Sequence, residues 1–260
     1  MLLLKGISGA HGVLLITGPT GSGKTTTLYS ALSRLNNDEV NIITVEDPVE
    51  YQLQGINQVQ VNPATGVTFA KGLRAILRQD PNIVMVGEIR DVETAEIAVR
   101  AAMTGHLVLS TLHTNSAVNS ITRLVDMGVE PFLVSSAVNC IMAQRLVRRI
   151  CTKCETDYKP SSEERAMLGE HGFEAHTLKK GKGCEACGQS GYKGRLAIHE
   201  ILPIDDTLRS MIMQRRTDSD YRKYAIETGG MIPLLQDGLS KVMAGQTTIS
   251  EIYRVTGIEM

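Results

Sequence analysis

Tryptophan is absent from this 260-residue sequence, and all aromatics together make up only 4% of it. So thin a complement argues against a base-stacking surface of the kind that holds single-stranded nucleic acid. Neither charge sign is in excess: 27 Lys+Arg face 28 Asp+Glu, for a formal net charge of -1. A whole-chain attraction to nucleic acid or to anionic lipid is therefore not indicated. No apolar run reaches the roughly 18 residues that a membrane-spanning helix requires. The opening Met1-Leu-Leu-Leu-Lys5-Gly6 lacks the basic and long apolar regions of a signal peptide, and the simple expectation is a cytosolic protein. Cysteine is sparse, at five residues, but four of them form two C-x-x-C pairs. In a cytosolic chain that pattern favours metal over disulfide.

What is present is a 42% hydrophobic share, enough to bury one large core, or one large and one small. Val13-Leu-Leu-Ile-Thr17 is a short apolar run with Gly on both sides, as in a buried parallel strand. Residues 24–35 carry a helical pattern with Leu28, Leu32 and Leu35 on one side. Further buried strands are expected at 42–45, 83–86 and 107–109, and helices at 70–78, 92–102, 116–126 and 131–146. Such alternation implies a parallel, doubly wound sheet. Near residue 148 the character changes to a Gly-, Lys- and Cys-rich stretch running to Arg195, followed by short helices at 206–214, 217–228, 234–243 and 248–255. The expected organisation is a nucleotide-binding core over 1–147, a tetracysteine segment over 148–200 and a helical end over 201–260.

Gly18-Pro19-Thr20-Gly21-Ser22-Gly23-Lys24-Thr25 has the G-x-x-x-x-G-K-T form of a phosphate loop, followed by Thr26. Its glycines let backbone N–H groups close around phosphates, and the helix it opens adds partial positive charge. Lys24 is expected to reach the β- and γ-phosphates of ATP, and the Thr25 hydroxyl to ligate Mg2+.

Glu88 follows the third strand, where P-loop enzymes place a carboxylate on the Mg2+ shell or on the attacking water. Gly87 occupies the usual position of an Asp, so Glu88 must carry much of that work; the bland alternative is a helix N-terminal acid. Asp91 is expected to cap the helix beginning near Val92. Glu46, Asp47 and Glu50 end the second strand on the ligand side of such a sheet, either poising water or metal or forming a solvated acidic turn. His106 and His113 flank the fourth strand, and either could sense or polarise the γ-phosphate or be merely structural. Arg74 and Arg78 share a face of a predicted helix and Arg90 lies nearby; they read as arginine fingers or as a solvent-facing basic group.

Cys151, Cys154, Cys184 and Cys187 form C-x2-C-x29-C-x2-C. Four thiolates suit tetrahedral structural zinc, with a redox dithiol as the alternative. Cys140 reads as a buried core residue.

In order, Gly18 to Thr25, Ile43 to Tyr51, Arg74 to Asp91 and Thr104 to Asn115 resemble the phosphate loop, acidic box, Walker B strand and His box of the ATPases that power type II secretion and type IV pilus assembly. The cysteine tetrad and Gly191-Tyr-Lys-Gly-Arg195 narrow the resemblance to GspE/PilB-like members, with the secretion branch favoured. The resemblance implies a RecA-like P-loop NTPase of α/β class, with a mostly parallel sheet, a four-cysteine zinc insert and a C-terminal helical subdomain. It implies Glu88 as the Walker B glutamate, and nucleotide or subunit contacts for Arg74, Arg78, Arg90 and Arg195. It also implies a cytoplasmic homo-hexamer docked on inner-membrane platform proteins. Family members carry a further domain upstream, so this chain matches the C-terminal catalytic half and is expected to hydrolyse ATP slowly by itself. A nucleic-acid-translocating motor and a non-hydrolysing assembly module are the competing readings.

Overall fold

Uninterrupted apolar runs lose no hydrogen bonding when buried as strands, because each neighbouring strand satisfies the backbone. The computed structural model describes residues 11–257. In it β1 (Gly12–Thr17), β2 (Ile42–Glu46), β4 (Ile83–Val86) and β5 (Leu107–Leu112) are buried along their whole length. β1 pairs with β5, β5 with β4 and β4 with β2, all parallel. A more polar strand, β3 (Asn57–Gln60), pairs parallel to β2 at one edge. The other side of β1 receives β6 (Val138–Ile150), and β9 (Tyr192–Pro203) completes the order β3-β2-β4-β5-β1-β6-β9.

Helices α1 (Lys24–Leu35), α2 (Phe69–Ile76), α3 (Val92–Met103) and α4 (Ala117–Asp126) provide the connections. Their starts are set by local chemistry. The side chains of Thr68, Asp91 and Ser116 accept from the backbone N–H three residues on, each satisfying a donor the helix cannot. Leu28 and Leu32 of α1 pack into a core with Leu14, Ile16, Met85, Leu109 and Met142, all but fully buried. Each contributes about 1.5–3 kcal/mol by leaving water.

The helix expected over 131–146 is corrected. α5 (Pro131–Ala137) stops at Val138, and the remainder is the thirteen-residue strand β6. Short apolar pieces such as Cys140–Ala143 do not by their period distinguish a buried helix from a buried strand. Here β1 supplies the pairing edge, with Leu14 opposite Cys140 and Ile16 opposite Met142. Cys140 is buried at 2% exposure, as expected, though on a strand. The stretch to Arg195 likewise contains a ribbon, β7 (Glu155–Tyr158) antiparallel to β8 (Leu178–Gly181), bracketing helix α6 (Ser162–Glu170). Helices α7 (Asp206–Met213), α8 (Asp218–Glu227), α9 (Leu234–Met243) and α10 (Ile249–Thr256) follow close to their expected places.

The chain forms two compact units, and the division falls within β6 and β9. The first comprises the chain to Ala143 together with Ile201–Met231; the second comprises Gln144–Glu200 and the chain from Ile232. No helix among the described residues is long and apolar enough to cross a membrane.

In the second unit Glu251 of α10 is 1% exposed. Its carboxylate accepts from the Arg148 backbone at 2.8 Å, from Arg148 Nη2 at 2.8 Å and twice from Arg254 at 2.9 Å. Burial raises its pKa, but the bonds from Arg254 and Arg148 outweigh this and bring it down to about 2. An unfolded Glu titrates near ~4.3, so the folded state binds its proton less readily and gains stability above that pH. This gain, on the order of 2–3 kcal/mol, is fully present above pH ~4.3 and is lost as pH falls toward ~2. Denaturant unfolding of wild type and Glu251→Gln should therefore differ most at neutral pH and converge in acid.

Candidate functional site

Parallel strands place all their C-terminal ends on one edge, which is where an α/β sheet binds ligands. From β1 the chain passes through Gly18, with φ 151°, and Gly21, with φ 78°, to Gly23, with φ 86°, at the N-cap position of α1. The last two values lie in the left-handed region open to glycine, and they let the loop turn sharply between β1 and α1. Pro19, Thr20 and Gly21 are exposed, Gly18 and Ser22 buried, and Thr25 and Thr26 begin the helix. Lys24 Nζ donates to the Gly18 carbonyl at 2.8 Å and to Pro19 at 3.1 Å, so the ammonium lies across the mouth of its own loop. The glycine geometry, the helix N-terminus and this ammonium fit the phosphates of a nucleotide. Thr25, next to Lys24, is the hydroxyl suited to Mg2+.

Two strands away Glu88 lies just past β4 with a largely buried side chain. One carboxylate oxygen accepts from Arg90, and the other faces His113 Nε2 at 3.0 Å. Burial raises the Glu88 pKa, yet Arg90 and then His113 outweigh it and hold the carboxyl below its ordinary value. Arg90 also reaches Asp47 at 3.4 Å and stands over the Phe69 ring at 5.7 Å. The ends of β2, β4 and β5 thus contribute Asp47, Glu88 with Arg90, and His113 to one polar array. Asp91 caps α3 as expected, its carboxylate accepting from the Thr94 N–H at 2.7 Å.

Glu46 is not a solvated turn residue. At 2% exposure it accepts from Thr44 at 2.5 Å, from Gln58 at 3.1 Å and from the Tyr29 hydroxyl. Glu50 is exposed on the loop that follows. Tyr29 and Gln58 escape a search for charged residues, but two signals mark them. A tyrosine on the apolar face of a helix requires a partner for its hydroxyl. Thr44 and Glu46, two apart on a strand, share a face, and Thr44 stands opposite Gln58 in the register.

His106 is not brought to this edge, which corrects the expectation for the pair of histidines. It precedes β5 at the N-terminal edge and hydrogen-bonds the Ala101 carbonyl at 2.9 Å through Nδ1. A strand rising ~3.3 Å per residue puts it about 20 Å from His113. Arg74 pairs with Glu93 at 2.7 Å across α2 and α3, both exposed. Arg78 falls in the 3-10 turn Leu77–Gln79, because α2 ends at Ile76. Arg195 is exposed on β9 in the second unit.

The four cysteines meet in that second unit, with all their sulfur atoms within 4.8 Å of one another. Cys151–Cys184 and Cys154–Cys187 lie at 3.9 Å and Cys184–Cys187 at 3.7 Å. Zinc with ~2.3 Å bonds to sulfur at the corners of a tetrahedron spaces them about 3.8 Å apart, so the group fits. The β7–β8 ribbon closes the long spacer by setting Lys182 N–H on the Cys154 carbonyl at 3.0 Å. The backbone N–H groups of Cys184 and Gly191 donate to Cys187 Sγ at 3.2 and 3.3 Å, as thiolate ligands require of their surroundings. Close backbone approach here demands glycine, since a Cβ on Gly181 would lie 2.0 Å from the Gly191 carbonyl oxygen.

A family model described as "Type II/IV secretion system protein" matches residues 1–254. The type II secretion system protein E of Pseudomonas aeruginosa is 56% identical over 246 residues, covering 95% of this chain and 49% of the relative. The type IV pilus assembly ATPase PilB of Thermus thermophilus is 53% identical over 252 residues, covering 96% of this chain and 28% of the relative. The chain thus spans about half the length, or less, of these relatives. Among solved structures, the pilus retraction motor PilT with bound ADP superposes with a TM-score of 0.72 at 30% identity, covering 97% of this chain and 63% of that one. The mostly parallel sheet, the loop before Lys24 and these matches agree: the chain belongs to the type II/IV secretion system protein family.

Proposed function

We propose that this chain is the catalytic portion of a motor ATPase. It hydrolyses ATP to ADP and phosphate within a cytoplasmic homo-hexameric ring and drives type II protein secretion, or the related assembly of type IV pili. One observation carries the chemistry: the Lys24 loop and the Glu88–Arg90–His113 array stand on one edge of the same parallel sheet. Lys24 and the loop N–H groups hold the phosphates, with Thr25 and the Glu88 side providing oxygen atoms for Mg2+. That ion neutralises phosphate charge when bound. Glu88 orients the attacking water and takes up its proton, and His113 holds the carboxylate from the other side. Arg74, Arg78, Arg90 and Arg195 are cations suited to transition-state charge at subunit borders.

The cysteine tetrad holds structural zinc, because four thiolates leave no open position for chemistry. Its presence supports the assembly and secretion branch, and the identity to a secretion protein E supports secretion. Partners are then inner-membrane platform proteins, with membrane association indirect and no nucleic acid required. Lys24→Ala should abolish phosphate release and weaken ATP binding by a hundredfold or more, about 3 kcal/mol for one lost charged contact. Magnesium-dependent phosphate release that persists in Lys24→Ala would overturn the proposal.

A further inference from the structure

Tyr29 lies on α1, five residues after Lys24, and its side chain is 1% exposed. A tyrosine hydroxyl has one proton to give and two lone pairs to share. All three are used here. It donates to Glu46 and accepts from the Glu50 backbone N–H at 3.2 Å and from Gln58 Nε2 at 3.3 Å. Burial, and then the bond to Glu46, push its pKa up to about 12, so the proton stays on the oxygen at any working pH. The ring stands edge-on to Tyr51, with centroids 4.7 Å apart at 76°.

Gln58 clasps the same loop from β3. Its Nε2 donates to the Tyr51 carbonyl at 3.2 Å, and its Oε1 accepts from Leu53 N–H at 2.7 Å. The loop after β2 has no regular structure of its own over 47–53. Ordering each residue costs about 1–2 kcal/mol, so these side-chain contacts decide its conformation. At its start Asp47 meets Arg90, and Arg90 holds Glu88.

We propose that Tyr29 is a positioning residue. Its hydroxyl locks the acidic loop 47–53 to the phosphate-loop helix, so that the lysine holding the nucleotide and the Asp47–Arg90–Glu88 array keep one geometry. This rests on the ATPase reading above. If Tyr29 were only core filler, phenylalanine would serve equally well. What phenylalanine lacks is the hydroxyl that joins α1, β2, β3 and the loop. Glu46 is, on this view, the buried anchor of the lock.

Tyr29→Phe keeps the ring, leaves the Glu50 N–H unmatched and removes one donor from Glu46. Thr44→Val removes a different donor from the same buried carboxylate without touching the loop, so it imposes a comparable loss of stability. Both are compared with wild type by amide hydrogen exchange over residues 49–53 and by steady-state ATP hydrolysis. Tyr29→Phe should speed exchange in the loop about tenfold. It should lower kcat about ten- to a hundredfold with KM changed less than about threefold, since an ångström of misplacement costs up to that much. Thr44→Val should do neither. Gln58→Ala loosens the loop from the other side and should lower kcat in the same direction, which keeps the test available should Tyr29→Phe fold poorly. Equal loop exchange in Tyr29→Phe and Thr44→Val, or a loosened loop with kcat unchanged, overturns the proposal. A wild-type protein without Lys24-dependent hydrolysis would instead defeat the ATPase reading, and loop exchange alone then decides whether Tyr29 holds the loop.

Discussion

Glu88→Gln should lower the rate of ATP hydrolysis by about 10²–10⁴-fold while leaving nucleotide affinity within a few-fold of wild type. The amide keeps the size of the carboxylate but neither takes up a proton nor holds a charge toward Arg90. Nucleotide affinity depends chiefly on the Lys24 loop, and glutamine keeps an oxygen at position 88, so binding and turnover should separate. Arg90 loses one of its two carboxylate partners and keeps Asp47, and since it is more than half exposed the stability cost there is small. Asp91→Ala is the control: it removes the α3 cap, costs about 1 kcal/mol of stability and should leave kcat in place. Turnover in Glu88→Gln equal to wild type would remove Glu88 from the chemistry. The pH profile adds a second reading. Because Arg90 and His113 hold the Glu88 carboxyl below its ordinary value, its carboxylate form persists further into acid than that of an ordinary glutamate. Arg90→Ala removes the strongest lowering partner and should move the acid limb of kcat upward.

Cys184→Ser should take the protein from one bound zinc per chain to none, measured by metal analysis of the reduced protein. The second unit should lose its exchange protection at the same time. Zinc held by four thiolates contributes about 10–16 kcal/mol of apparent binding free energy, nearly all of it folding free energy in a small unit. The cysteine loops are otherwise tied by backbone bonds such as Cys151 N–H to the Gly191 carbonyl at 2.9 Å. Nucleotide binding through Lys24 separates the two roles of metal: retained binding in a zinc-free variant marks the ion as structural. Wild-type protein holding well under one zinc per chain would reject the site.

The first strands, their helices, the phosphate loop and the cysteine spacing were legible in the sequence because each rests on local chemistry. Glycines at 18, 21 and 23 permit a tight loop, Asp91 caps the helix that follows it, and two C-x-x-C pairs offer four thiols that suit a metal wherever the chain brings them together. The stretch from Val138 to Ile150 was not legible, because its short apolar pieces, broken by Asn139, Gln144 and Arg145, fit a buried helix or a buried strand alike. Only the free edge of β1 settles it. The histidines divide for a related reason. His106 precedes one strand and His113 follows it, so they part at opposite ends of that strand, and spacing alone does not name the partner each would meet. Once the sheet is parallel, His113 joins Glu88 and His106 goes to the opposite edge.

Residue types and short spacings set the chemistry on offer: a loop with the pattern of a phosphate loop, a carboxylate two residues beyond an apolar strand, and four thiols spaced as metal ligands. Such features survive any arrangement of the chain, so they are readable before it folds. Which polar groups work together was settled only in the folded molecule. Folding buried Glu46 under Tyr29, Thr44 and Gln58, and it turned both Glu88 oxygens toward Arg90 and His113. Those hydrogen bonds are made across strands and between helix and loop, over separations that no local pattern records.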